Sequence, residues 1–164
     1  KIYLGYLGSF RYTLEAGKLW GAVPYPFLFV HQGNETWGYT NSDFNAMNIG
    51  EFMSDEYASI MIQHHFEGLF LNRIPLLKRL KWREVIVGKA IYGRLSERHS
   101  KVMDLPDFTS SLSEKPYIEV SAGIENIFKV FRIDALWRIN YIDNTYKDID
   151  VLRFGLRGRF QISF

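Results

Sequence analysis

Five arginines near the end of the chain are spaced as a β-strand would space them: Arg132 and Arg138, then Arg153, Arg157 and Arg159. Asp134 stands two positions from Arg132, and Glu119 and Glu125 precede them at an even separation. Residues an even number apart share one face of a strand, so neighbouring strands would gather these guanidinium and carboxylate groups on one surface. Two chemistries fit such a surface. Cations left in excess favour an anion path or an acidic plug. Cations paired with acids make a salt-bridged lining, which buried charge requires. Partners are present in Asp134, Glu119 and Glu125, so pairing is the reading followed here.

Other reactive groups lead less far. His64 and His65 are adjacent, so on a strand they point to opposite faces and do not share a metal ion. His31 and His99 fall in other segments. The chain has no cysteine, which removes a disulfide framework, a thiolate metal site and a cysteine nucleophile. No phosphate-binding Gly-rich loop, H-E-x-x-H pair or nucleophile elbow is present. The expectation is a protein without a cofactor, a metal or an enzymatic activity.

The elements that would hold these groups are strands. From Leu152 the even positions read Leu, Phe, Leu, Gly, Phe, Ile, Phe, and the odd positions from Arg153 read Arg, Gly, Arg, Arg, Gln, Ser. A helix of period 3.6 would mix these two sets. The same alternation runs through 131–141, with Phe131, Ile133, Ala135 and Trp137 against Arg132, Asp134 and Arg138, and through 118–125. It recurs over 4–14 and 57–67. Residues 84–95 are apolar at both parities, so the sequence leaves their facing open.

The connections differ in kind. Residues 21–50 form a long stretch with Tyr25, Phe27, Phe29, Trp37, Tyr39 and Phe44, and Trp20 at its edge. Such a stretch either offers a binding surface or folds back to bury its own aromatics. Residues 97–115 read as a second long loop, 126–130 as a tight turn and 143–149 as a short loop. In NRIPLLKRLKWR, residues 72–83, Ile74, Leu77, Leu80 and Trp82 suit one side of a short helix amid Lys78, Arg79, Lys81 and Arg83. That connector either lies on a membrane surface or packs on the rim of the fold.

With 164 residues the chain fits one domain. Aromatic residues make up 16% of it, yet mean hydropathy is only −0.14. Strands with one greasy and one polar face produce that combination in a membrane barrel. No apolar run approaches the ~18 residues of a membrane helix. The net charge of +2 gives no case for nucleic acid. The chain starts at Lys1 without a signal-like segment and reads as a fragment or mature segment.

If the last strand runs toward the periplasm, residues 21–50, 97–115 and 143–149 all fall outside and the tight turn falls inside, as barrels prefer. The final residues fit that direction. Gly158, Phe160, Ile162 and Phe164 resemble the C-terminal assembly signal of outer-membrane barrels, in which a terminal strand offers its edge and its aromatics to the assembly machinery.

NRIPLLKRLKWRE at 72–84, YIEVSAGIENIFKVFR at 117–132, the tail, and the short runs GNET at 33–36, NAMN at 45–48 and HHF at 64–66 together resemble a Bacteroidota outer-membrane family. Its members are carboxypeptidase-like regulatory domain proteins of unknown function. The resemblance implies a small β-sandwich domain upstream and a C-terminal barrel. That barrel is in turn similar to the surface-antigen superfamily of outer-membrane assembly factors. Those factors carry a Val-Arg-Gly-aromatic motif in a loop matching 21–50, whereas this loop contains no arginine. The resemblance therefore implies a barrel more than an insertase mechanism.

The reading is an all-β fold, an antiparallel transmembrane β-barrel portion of about six strands with long outer loops and one short amphipathic connector. Residues 1–164 would be the C-terminal part of an outer-membrane barrel with a structural, transport or membrane-biogenesis role. Its expected partners are outer-membrane lipid, the assembly machinery and the upstream part of its own barrel. The alternative is a soluble barrel or sandwich that binds a small molecule.

Overall fold

The computed structural model describes residues 1–100, 106–112, 115–146 and 148–161. Seven antiparallel strands form one sheet in chain order: β1 (Ile2–Tyr3), β2 (Ser9–Lys18), β3 (Glu56–His65), β4 (Arg83–Arg94), β5 (Tyr117–Ile127), β6 (Phe131–Arg138) and β7 (Phe154–Phe160). Each strand pairs with the next, an up-and-down meander. The sheet is open among the described residues, with β1 and β7 at its edges. No helix there is long and apolar enough to cross a membrane, which says nothing about strands.

The alternation in the sequence becomes two unlike faces, and the apolar one faces out. Tyr12, Leu14, Ile60, Ile62, Ile86, Tyr92, Val120, Ile133, Trp137, Phe154, Leu156 and Phe160 are all exposed. The opposite face is buried and polar: Lys89, Glu119, Ser121, Glu125, Arg132, Asp134 and Arg138. A water-soluble sheet places these sets the other way round.

The buried face is covered by the chain between β2 and β3. This segment contains the short ladder Phe29–Val30 with Met53–Ser54. It buries Leu28, Tyr39, Phe44, Ala46, Met47 and Phe52. A cluster of Phe44, Met47, Phe52, Ile91, Leu112, Tyr117 and Tyr141 joins segment to sheet. The two parities of β4 are thereby explained. Val85, Val87 and Ile91 lie under the segment, and Ile86 and Tyr92 face out.

Several boundaries differ from expectation. The first long strand begins at Ser9, because Gly5–Leu7 forms a 3-10 turn and Gly8 has φ 92°. A Cβ at Gly8 would lie 1.9 Å from the His65 carbonyl oxygen, so this bend requires glycine. Strand β6 stops at Arg138, and Tyr141 turns inward with φ 55°. In the basic connector only α1 (Pro75–Lys78) is α-helical. Of its expected apolar side, Ile74 and Leu80 are exposed and Leu77 and Trp82 are half-buried. A second short helix, α2 (Glu97–Ser100), follows β4.

Candidate functional site

The segment over the polar face first organises itself. Asn34 Oδ1 accepts from the Thr36 amide at 2.9 Å and hydroxyl at 2.7 Å, the local turn that asparagine favours. Asn34 Nδ2 donates to Asn45 Oδ1 at 2.9 Å, and Asn45 Nδ2 donates to the Thr40 carbonyl at 2.8 Å. Two buried amides thus tie residues 34–45 into a compact loop.

That loop is then fastened to the sheet by charged groups. Glu119 on β5 accepts from the Asn45 and Ala46 amides, each at 2.8 Å, one per carboxylate oxygen. The Tyr117 hydroxyl donates to Glu119 at 3.2 Å, and Lys89 Nζ lies 3.7 Å from it. Lys89 also donates to the carbonyls of Thr40 and Asp43. Arg138 on β6 grips Glu51 from the covering segment, at 2.5 Å and 3.0 Å, and donates to the Ala46 and Tyr141 carbonyls. Its guanidinium lies 5.0 Å from the Tyr117 ring centroid. Arg132 and Asp134 form a bidentate pair with both bonds at 2.6 Å, and Arg132 stacks 4.7 Å from the Tyr39 ring. The Tyr39 hydroxyl contacts Ser121 at 3.3 Å.

The expected charge network divides into three groups. Glu119, Arg138, Arg132 and Asp134 are buried under the segment. Glu125 pairs with His65 at 2.9 Å, and Arg157 donates to the carbonyls of Asn34, Asn45 and Thr36. Arg159 reaches Gln161 at 3.3 Å. Arg153 stands apart. It precedes β7, is 60% exposed and lies 4.0 Å from the exposed Asp143. Alternation assigned it to the inner face, but the strand starts one residue later, so the pleat does not govern it.

The tail residues separate similarly. Phe160 is exposed and touches Phe131 edge-on at 5.1 Å. Gly158 donates to the Trp37 carbonyl at 3.1 Å and accepts from the Tyr39 amide at 2.8 Å, on the edge of β7 away from β6. Ile162 and Phe164 lie outside the described residues.

Three partners escaped the sequence reading of the network: Glu51, and the backbone amides of Asn45 and Ala46. Glu51 is a single carboxylate in a non-periodic stretch. Its only signal is an acidic residue beside Gly50 at the end of a long aromatic loop.

Among the described residues the four histidines stand in separate surroundings. His64 meets the Leu7 carbonyl and His65 meets Glu125, on opposite faces. Among the described residues no three His, Cys, Asp or Glu groups converge to hold a metal. His99 joins Asp55 at 3.1 Å and Ser96 at 3.2 Å, both through Nδ1, while Nε2 accepts the Val23 amide at 3.1 Å. A hydrolytic triad needs the serine on the nitrogen opposite the acid. Here the three side chains staple loops instead. Burial pushes the Asp55 carboxyl up, but the Ser96 hydroxyl and amide together with His99 outweigh it and hold it below its ordinary range. His31, buried against Ser54 at 2.7 Å and Tyr57, has its pKa lowered by burial to about 4.

Residues 1–103 match the Family of unknown function (DUF5686) C-terminal domain. The chain belongs to this family. The matched span of the DUF5686 domain contains β1 to β4 and the covering segment, including Asn34, Asn45 and Glu51. Strands β5 to β7, which carry Glu119, Asp134, Arg132, Arg138, Arg157 and Arg159, lie beyond it, as does Arg153. No curated protein and no solved structure matches the chain.

Proposed function

We propose that this chain is part of the wall of a bacterial outer-membrane β-barrel, with its own loop seated on the inner face as a plug. The observation that carries this reading is the inversion of the sheet: ionised groups buried, large apolar groups exposed. Burying a charge is costly unless it is paired, and exposing a dozen large apolar side chains on one face is costly in water. Both arrangements are reasonable for a wall between lipid and a filled lumen.

The outer face is also banded as lipid contact requires. Phe10, Phe131 and Phe160 mark one end of the strands, and Tyr92, Trp137 and Phe154 the other, with Leu14, Ile60, Ile62, Val120, Ile133 and Leu156 between. Phe131 and Trp137 are six residues apart on β6. At ~3.4 Å per residue this separates the rings by roughly 20 Å, comparable with the ~25 Å apolar band of such barrels. The edge of β1, and that of β7 outside the Gly158 bridge to the covering segment, are where further strands of the same barrel would pair. The role is non-enzymatic, in envelope structure, transport or membrane biogenesis. The resemblances to the surface-antigen superfamily and to the carboxypeptidase-like regulatory family of Bacteroidota favour the last of these. In that resemblance the loop at 21–50 corresponds to the assembly-factor loop but lacks its arginine.

The test uses the complete protein expressed in a Gram-negative host. Membranes are fractionated and the outer-membrane fraction is run on a gel with and without boiling. Enrichment with a heat-dependent mobility shift is the expected result. A protein that stays in solution without detergent sinks the proposal.

A further inference from the structure

We propose that the outward end of β2–β3–β4 carries a binding groove on the lipid face for a phosphorylated, multiply acylated glycolipid of the outer leaflet. Lys18 and Arg94 take a phosphate, and a floor of small residues takes an acyl chain. This rests on the reading of that face as lipid-facing and of that end as external.

The register builds the groove. Lys18, Glu56 and Arg94 are directly opposed on three neighbouring strands and form one charged row. Two residues further down, Ala16, Ala58 and Tyr92 form the next row on the same face. Gly17 and Gly93 lie between the rows on the two outer strands of the three. Short side chains on β2 and β3 leave a depression of about 550 Å³ walled by Tyr92 and rimmed by the charged row. Below it, exposed Leu14 and Ile60 continue the apolar surface.

Charge complementarity selects the occupant. The row holds two cations and one acid. Glu56 meets Lys18 at 2.8 Å and Arg94 at 3.4 Å, yet Lys18 and Arg94 remain 54% and 61% exposed. One positive charge is left over at the mouth of an apolar groove. Trp20, strongly exposed, sits 5.4 Å from the Lys18 ammonium, an aromatic and cation at the level of lipid headgroups. The long chain segments after β2 and β4 leave from this end, and shorter connections join strands at the other, which makes this end the external one in a barrel. An anionic headgroup with acyl chains matches both halves of the site, whereas a zwitterionic lipid leaves the extra cation unmet.

The complete protein, purified in detergent from outer membranes, is titrated with lipid A and with dephosphorylated lipid A, and bound lipid is counted by native mass spectrometry. The phosphorylated form is expected to bind at least tenfold tighter. Lys18→Gln with Arg94→Gln should abolish that preference, and Ala58→Leu, which fills the floor, should weaken both lipids. Glu56→Gln removes the competing acid and should tighten phosphorylated lipid A, a gain that misfolding does not produce. Equal binding of the two lipids by the wild-type protein, or a preference that survives the double substitution, overturns the site. If the heat-shifted form is present in that preparation, the barrel reading stands even so. A protein that never enters the membrane overturns both.

Discussion

The bidentate Arg132–Asp134 pair is fully buried, with both partners on one strand and one face. Removing one partner strands the other charge, which costs about 3–5 kcal/mol, whereas replacing both by apolar residues of similar size is far less damaging. Asp134→Ala should therefore lower the thermal midpoint of the folded, unboiled gel band more than Arg132→Met with Asp134→Leu does. Gly123→Ala should act in the same direction, since its Cβ would lie 2.4 Å from an Asp134 carboxylate oxygen. His31 predicts a pH dependence of its own. Its folded pKa of about 4 lies below the ordinary 6.5, so between these values the unfolded chain binds a proton that the folded chain refuses. Stability should be flat above pH 6.5, fall as pH drops toward 4, and level off below, a loss on the order of 3 kcal/mol. Asp55 adds a separate loss at still lower pH, as its depressed pKa is crossed. Midpoints measured from pH 8 to pH 4 should show the His31 limb, and His31→Gln should flatten it.

The covering segment is held by side chains of four strands, Lys89, Glu119, Arg138 and Arg157, and by the Gly158 backbone. Glu119 receives two of its backbone amides, and Arg138 holds its Glu51. Glu119→Ala leaves the Asn45 and Ala46 amides without their acceptor and leaves Lys89 without its carboxylate. Each unmet buried group costs roughly 1–3 kcal/mol. The segment should then loosen around Asn45 and Ala46 while the strands, held by their own ladders, stay paired. Limited proteolysis checks this: cleavage within 34–48 should appear in Glu119→Ala and stay absent from the wild-type protein, with the heat shift retained in both. Loss of the heat shift together with the loop would show that segment and sheet fold as one unit.

At the scale of the whole molecule, the inverted faces make opposite predictions for lipid and for water. Leu156 is 64% exposed near the middle of β7. In water, Leu156→Arg at such a position changes stability by under about 0.5 kcal/mol. Facing the bilayer midplane, the same change costs about 2–4 kcal/mol. The amount of heat-shifted protein should fall clearly for Leu156→Arg and Ile60→Arg. It should remain near wild-type for Thr13→Arg, exposed on the inner face of β2. Equal tolerance at all three positions would place the apolar face in water.

The strands, their meandering order and the parity of most of them were legible in the sequence, because period-two alternation is a local property that each strand carries by itself. Clustering of the polar groups of β5 and β6 followed from the same periodicity. Arg153 shows its limit, since parity means nothing one residue outside the ladder. What covers the polar face was decided only by the tertiary structure. Glu51 meets Arg138 across 87 positions, and the Asn45 amide meets Glu119 across 74. Contacts between an irregular loop and a distant strand follow no period. The facing of β4 was undecidable for that reason: Val85 and Val87 look like a second outward apolar face until Tyr39 lies over them.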